Sequence, residues 1–341
     1  MGMEGIGVND NGDSLAQPVA GGLVWARIDG DPHLNAVHTC GVTTSGEGYC
    51  WGGPNTYGKL GTGTAIDSAN TPQLVAGGIS WQSILPAYSY TCGLSTSGEA
   101  YCWGGTNSYG NLGTYPVSDP RYTDFHLTPT PVDGGHTFTQ LAPNGSVFTC
   151  GLDTDSKLWC WGQTFAWKSG GGSYAHVPEL IDSTSGFTAI AVGDVFICGI
   201  GGGTLYCRGD ENYLGVGVGT STYTYDWITV PVPGTVAEVH VAEEATCARN
   251  TAGEIYCWGN QYQGGLSATG SGSRILTPTL MSNGLDFESF AVGQSHALAR
   301  ESGTGTLYCW GNGNACGLGT NPDHPANYGI VTIPTKVRPP A

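Results

Sequence analysis

Apolar and polar residues alternate along this chain in short runs, and glycines break the runs. Trp81-Gln-Ser-Ile and Phe187-Thr-Ala-Ile are typical, each ending near a glycine. A period of two is that of a half-buried strand, and no segment of normal helical length carries a 3.6-residue period. The runs also recur. Aligned on Cys-Trp, the chain reads HTCGVTTSGEGYCWGG from His38, YTCGLSTSGEAYCWGG from Tyr90 and FTCGLDTDSKLWCWGQ from Phe148. FICGIGGGTLYCRGD from Phe196, ATCARNTAGEIYCWGN from Ala245 and SHALARESGTGTLYCWGN from Ser295 complete the set. The second cysteines stand at 50, 102, 160, 207, 257 and 309, in steps of 52, 58, 47, 50 and 52. Strand-rich units repeating about every 50 residues predict a β-propeller, one blade per unit.

Each unit supplies four strands. One comes from the alternating run and two from the cysteine hairpin, where Ser-Gly or Ala-Gly makes the turn. A glycine loop follows, as in Tyr57-Gly-Lys-Leu-Gly-Thr-Gly, Tyr109-Gly-Asn-Leu-Gly-Thr and Cys316-Gly-Leu-Gly-Thr. A proline-led segment closes the unit: Pro72 to Val75, Pro129 to Val132, Pro278 to Leu280, Pro334 to Val337. Proline fits an outermost strand, whose amides go unpaired. The expected fold is all-β, one propeller domain over residues 1–341 with 1–16 as a terminal loop or closure segment. Six hairpins are present, but Gln17-Pro18-Val19 adds a seventh outer-strand candidate, so six or seven blades are both open.

Composition agrees. The 341 residues include 57 glycines, 39% hydrophobic residues, 10% aromatic and only 11% charged. Disordered chains are charge-rich and aromatic-poor. Eleven Lys and Arg against 27 Asp and Glu leave a formal charge of −16. That balance argues against nucleic acid, which needs a basic surface, and against anionic membranes. No apolar run reaches the roughly 18 residues needed to cross a bilayer. No signal peptide is visible at the start.

The motif H-x-x-x-L-x-x-x-G-x-x-Y-x-W-G-x-N-x-x-G-x-L-G resembles the regulator-of-chromosome-condensation (RCC) repeat family over residues 17–337. Arg208 departs from it, replacing the Trp of the fourth copy, and the third copy lacks Gly-x-Leu-Gly. The resemblance implies a ring propeller, commonly of seven blades. The paired hairpin cysteines make it similar in kind to secreted bacterial members, a group that includes a β-lactamase-inhibitory propeller. The ultraviolet photoreceptor of the family carries a Gly-Trp-Arg-His-Thr run that is missing here, and a Ran-type nucleotide-exchange role belongs to a reducing compartment.

Ten of the twelve cysteines pair within hairpins: Cys40/Cys50, Cys92/Cys102, Cys150/Cys160, Cys198/Cys207 and Cys247/Cys257. Each pair is expected to close a loop of about ten residues with its turn midway. Residues opposed across a hairpin come close enough for a disulfide. In the sixth hairpin Leu298 takes the first cysteine's place and Cys316 appears downstream, which suggests a re-routed Cys309–Cys316 bond. Free thiols and metal are the competing readings; zinc sites usually bring two ligands two to four residues apart, and no such pair occurs. Disulfides imply an oxidising compartment, extracellular or periplasmic.

Catalytic motifs are absent: no Gly-x-Ser-x-Gly, no His-Glu-x-x-His, no phosphate loop. Asn9 to Asp13 has calcium-loop oxygen density but no later bidentate Glu, so it reads as a solvated turn, as do Asp153, Asp155 and Asp29-Gly-Asp31. No cofactor and no metal are expected. His38 and His296 occupy a position filled elsewhere by Tyr90, Phe148, Phe196 and Ala245, which points to packing. The recurring Trp51, Trp103, Trp161, Trp258 and Trp310 read the same way. Three stretches break the repeat: Thr114–Leu127, Gln163–Val177 and Val216–Val230. They hold Tyr115, Arg121, Tyr122, Phe125, Trp167, Tyr174, Tyr223, Tyr225 and Trp227, residue types enriched at binding hot spots. The expected function is a secreted scaffold that binds another protein through one face. A carbohydrate-binding propeller and an extracellular polysaccharide hydrolase or lyase are the alternatives.

Overall fold

Strands are the regular elements of the computed structural model, which describes residues 18–30, 38–65, 68–105, 107–114, 125–143, 147–168, 174–210, 217–218, 223–242, 245–260, 274–293, 296–312 and 330–337. They form six four-stranded antiparallel sheets, the blades of a β-propeller. Blade 1 is β1 (Trp25–Gly30), β2 (His38–Thr43), β3 (Gly48–Gly52) and β4 (Ala69–Leu74). Blade 2 is β5 (Trp81–Pro86), β6 (Tyr90–Ser95), β7 (Ala100–Gly104) and β8 (His126–Pro131). Blade 3 is β9 (Phe138–Pro143), β10 (Phe148–Asp153), β11 (Leu158–Gln163) and β12 (Tyr174–Asp182). Blade 4 is β13 (Phe187–Val192), β14 (Phe196–Gly201), β15 (Thr204–Asp210) and β16 (Tyr223–Val230). Blade 5 is β17 (Val236–Ala242), β18 (Ala245–Asn250), β19 (Ile255–Asn260) and β20 (Arg274–Leu280). Blade 6 is β21 (Phe287–Val292), β22 (His296–Glu301), β23 (Leu307–Asn312) and β24 (Ile330–Lys336). Two compact units divide the chain; among the described residues 18–192 carry β1–β13 and 193–337 carry β14–β24.

Two expectations need correction. Pro18 and Val19 lie outside any strand, so the seventh outer-strand candidate does not form, and the described sheets number six. Part of two supposed insertions is regular sheet: residues 174–177 begin β12 and 223–230 are β16. The tyrosines and β-branched residues there extend the outer strand instead of leaving a loop.

Register explains the cysteines. Each of the five pairs is directly opposed in its hairpin: Cys40 and Cys50, Cys92 and Cys102, Cys150 and Cys160, Cys198 and Cys207, Cys247 and Cys257. The Cα separation is 4.1 Å in all five, the close spacing of a non-hydrogen-bonded pair, and all five are disulfides. The loops of about ten residues form as expected, the fourth being one residue shorter. Cys207 follows Cys198 by 9 residues, against 10 in the other four pairs. The physical reason is the turn: Gly201 pairs with Thr204, so only Gly202-Gly203 joins the strands, both at positive φ. Cys207 is a fully buried staple, and beyond it β15 slips register with β16 before Gly209. Cys309 is also disulfide-bonded; its expected partner Cys316 lies outside the described residues. The glycine after each recurring Trp takes positive φ, from +77° at Gly104 to +109° at Gly52. There the third strand loses register with the fourth, a kink that favours a residue without Cβ.

Blades pack through a recurring set of side chains. In one cluster the Cys40–Cys50 hairpin, Val42 and Leu60 of blade 1 meet Trp81, Ile84 and Trp103 of blade 2. The Cys92–Cys102 hairpin, Leu94 and Leu112 meet Phe138, Leu141 and Trp161 in the same way. In the second unit Cys247, Cys257 and Ile255 meet Phe287, Phe290 and Trp310. The five recurring tryptophans are at most 1% exposed, the packing role their repetition implied.

Candidate binding surface

The glycine loops are built alike. Asn55 Oδ1 accepts from the Leu60 amide at 2.9 Å and its Nδ2 donates to the Thr64 carbonyl at 3.2 Å. Asn107 does the same with Leu112, at 3.0 Å, and Thr114, at 3.3 Å. This clamp drives Leu60 and Leu112 to full burial and turns one carbonyl towards the next blade. The Lys59 carbonyl accepts from Trp103 Nε1 at 3.0 Å and Thr91 Oγ1 at 2.7 Å. The Asn111 carbonyl accepts from Trp161 Nε1 at 3.1 Å and Thr149 Oγ1 at 3.3 Å. Glycine is required beside it: at Gly61, φ is +69° and a Cβ would lie 2.5 Å from Trp103 Nε1.

The same loops project aromatic rings outward. Tyr57 meets Phe125, edge to face, with centroids 6.0 Å apart. One blade further on, Tyr109 meets Tyr174 at 5.5 Å, and His176 lies 6.5 Å beyond. The four rings of these two pairs are 39–49% exposed. Each pair thus joins the loop of one blade to the approach or start of the next blade's outer strand. Gly58 and Gly110 allow the contact, since a Cβ there would strike Leu127 and the Ala175 carbonyl. Two of these side chains, Phe125 and Tyr174, are among the sequence candidates. Tyr57 and Tyr109 are not, because they sit inside the regular repeat; their signal is the shared Asn-x-Tyr-Gly.

The remaining candidates do not gather there. Trp167 is a core residue, 4% exposed and 5.1 Å from Phe148, centroid to centroid, where an exposed hot spot was expected. Its amide closes a turn on the Thr164 carbonyl, beside buried Thr164 and Ala166. Trp227 and Tyr225 are half-buried in β16, and the guanidinium of Arg208 stands 5.3 Å over the Trp227 ring. Tyr223 lies in the same strand. Tyr115, Arg121 and Tyr122 lie outside the described residues, as do Asn9 to Asp13.

Several of the described titratable groups are shifted by their surroundings. His38 is fully buried with Nε2 2.8 Å from Thr91 Oγ1. Burial, aided by the charge of Lys59, pushes its imidazole well below the usual range. Burial also lowers His296. Tyr90, at the equivalent position, donates to the Phe148 carbonyl at 2.8 Å. Asp153 accepts from the amides of Asp155 and Lys157, both at 2.9 Å, and from Trp159 Nε1 at 2.8 Å. Desolvation raises its carboxyl, but those bonds outweigh it and leave it below the ordinary value. Its role is to cap a hairpin turn in which Ser156 takes φ +60°. Glu238 binds His240 at 2.8 Å and Arg249 at 2.9 Å. Among the described residues no group of three His, Cys, Asp or Glu is placed to hold a metal, and no helix is long and apolar enough to cross a membrane.

No family model matches the chain. It is 27% identical over 276 residues to the human E3 ubiquitin-protein ligase HERC2, covering 77% of this chain and 6% of that protein. It is 25% identical over 287 residues to the Arabidopsis thaliana mitochondrial RCC1 domain-containing protein RUG3, covering 78% and 63%. It therefore spans less than two thirds of these relatives. The crystal structure of Saccharomyces cerevisiae Prp20p superposes with a TM-score of 0.73 at 20% identity, covering 90% of this chain and 76% of that one. These relatives are of the RCC1 family, and the fold is the RCC1-like propeller.

Proposed function

We propose that the chain is an extracellular binding scaffold, without chemistry of its own, that recognises another protein through its exposed ring pairs. The observation that carries this reading is the repeated pairing of Tyr57 with Phe125 and Tyr109 with Tyr174, on a rigid frame. Large rings held half-exposed by backbone that cannot relax lose little entropy on binding, which is what hot-spot residues need. Five buried hairpin disulfides favour an oxidising compartment. Prp20p, similar in fold, is described by its binding to Gsp1p and histones, a precedent for protein recognition on such a frame. The formal charge of −16 favours a partner with a basic surface.

The test is capture of partners from extracellular material by the intact protein and by the Tyr57→Ala/Tyr109→Ala double variant. A partner retained by the first and lost by the second, with unchanged melting, supports the reading. Equal capture by both moves recognition elsewhere. Binding on a glycan array in place of protein capture would make the surface carbohydrate-binding.

A further inference from the structure

Aromatic side chains of this chain differ in what occupies their polar and π surfaces. Several are tied within the blades. Tyr90 donates to the Phe148 carbonyl at 2.8 Å, and the hydroxyls of Tyr256 and Tyr308 donate to Glu254 and Glu301 at 3.0 and 3.4 Å. Two rings also carry a cation of the chain's own. The Arg208 guanidinium stands 5.3 Å over the Trp227 ring, and the Lys336 ammonium stands 5.9 Å over Tyr308. Both lie within the roughly 6 Å over which a cation is drawn to a π face.

Tyr57, Phe125, Tyr109 and Tyr174 are left open. Among the described residues no Lys or Arg stands over these four rings, and the three tyrosine hydroxyls are given to no side chain. The ring planes meet at 69° in the first pair and 50° in the second, so each pair makes a corner with a π face on either side. An apolar side chain or a sugar also fits a corner of this kind; the charge of the molecule decides between them. Eleven Lys and Arg face 27 Asp and Glu, and Arg27, Arg249 and Arg300 are already paired with Asp29, Glu238 and Glu288. The field left over is negative and draws cations to an open surface. Of the two cationic side chains arginine fits better. Its guanidinium is planar, stacks on aromatic faces and is more weakly hydrated than an ammonium, so less is lost when water leaves.

Resting on the reading of the ring pairs as the recognition surface, we propose that they bind arginine side chains of the partner. One guanidinium enters the Tyr57/Phe125 corner and another the Tyr109/Tyr174 corner, each held as Arg208 is held over Trp227. The two corners lie one blade apart on the same rigid frame. A partner surface that presents two arginines at that spacing engages both, and the first contact strengthens the second by holding it nearby.

The probe is a labelled, unstructured peptide of arginine, glycine and serine, read by fluorescence anisotropy against the intact protein at low ionic strength. A counterpart carries citrulline at each arginine, which keeps the planar shape and loses the charge. The wild type should bind the arginine peptide about tenfold more tightly or better. Two double variants leave the protein's charge unchanged. Tyr57→Phe/Tyr109→Phe keeps the π faces and should bind within about threefold of wild type, whereas Tyr57→Leu/Tyr109→Leu keeps only apolar bulk and should lose about tenfold or more. Equal affinity for the two peptides overturns the inference. So does equal binding by the two variants, because the negative field alone would then be acting. The peptide comparison needs no variant, so it decides the matter even if a variant melts early. Partner capture that Tyr57→Ala/Tyr109→Ala abolishes, with no preference for arginine over citrulline, overturns this inference and leaves the proposed function standing. Capture that the same variant leaves intact overturns both.

Discussion

Blades 2 and 3 solve one problem in opposite ways. Blade 2 leaves its third strand through a regular loop: Asn107 clamps the turn, Leu112 fills the interior, and Tyr109 is left outside. Blade 3 has no Gly-x-Leu-Gly. A turn on Thr164 drops Trp167 against Phe148 instead. In the ordinary-looking loop the aromatic ring is available to a partner; in the irregular one it is packed away. Departure from a repeat can therefore mark a different way of filling the core as readily as it marks a site.

The sharpest way to break this contrast is Trp167→Ala. It should cost about 3–5 kcal/mol, the range for a large aromatic removed from a core, read as a lower midpoint in denaturant. Tyr109→Ala should stay within about 0.5 kcal/mol of wild type. Similar losses for both would mean that the two rings are equally structural. Next come the hairpins, which the two blades share. Replacing Cys92 and Cys102 by Ala, or Cys150 and Cys160, should each cost on the order of 2–3 kcal/mol, for loops of about ten residues. Unequal costs would show that blade 3 leans differently on its staple. Gly113→Ala probes the regular loop itself. Its φ of +67°, and a Cβ placed 2.8 Å from Trp161 Nε1, predict a loss of about 1–3 kcal/mol by thermal melting.

The smallest effect concerns pH. His38 occupies the position held by Tyr90 in blade 2 and Phe148 in blade 3. Burial lowers its pKa in the folded chain, so the unfolded chain binds the proton more readily. Stability is then complete above about pH 6.5, the unfolded value, and declines as pH falls below it. His38→Phe should flatten that decline, by at most about 1.4 kcal/mol per pH unit. His296, lowered in the same direction, should leave a residual slope. An unchanged slope in the variant would mean that His38 exchanges protons in the fold as freely as out of it.

The sequence made the repeat, the four-strand blades and the five disulfides legible, because opposed cysteines, turn glycines and a fixed period are local signals. The buried role of the recurring tryptophans was legible for the same reason. The aromatic surface was only half legible. Phe125 and Tyr174 lay in irregular segments and drew attention, whereas Tyr57 and Tyr109 were hidden by regularity. Trp167 was misplaced because its composition matches a binding loop, and only the Phe148 contact reveals a core residue. The start of β12 and the whole of β16 were read as loops, since tyrosines such as Tyr174 and Tyr223 serve equally in either setting.

The disulfides carry a consequence for how the molecule comes apart. Each closes a stretch of 9 or 10 residues between neighbouring strands of one blade. None of these five joins one blade to another. A protease cut at a hairpin turn such as Ser97-Gly98 therefore leaves both pieces covalently tethered through Cys92 and Cys102. A cut in a connection such as Gly77-Gly78 separates two chains that only packing and hydrogen bonds still hold. Nicked protein run without reductant should distinguish the two kinds of cut: hairpin cuts invisible until thiol is added, connection cuts visible at once.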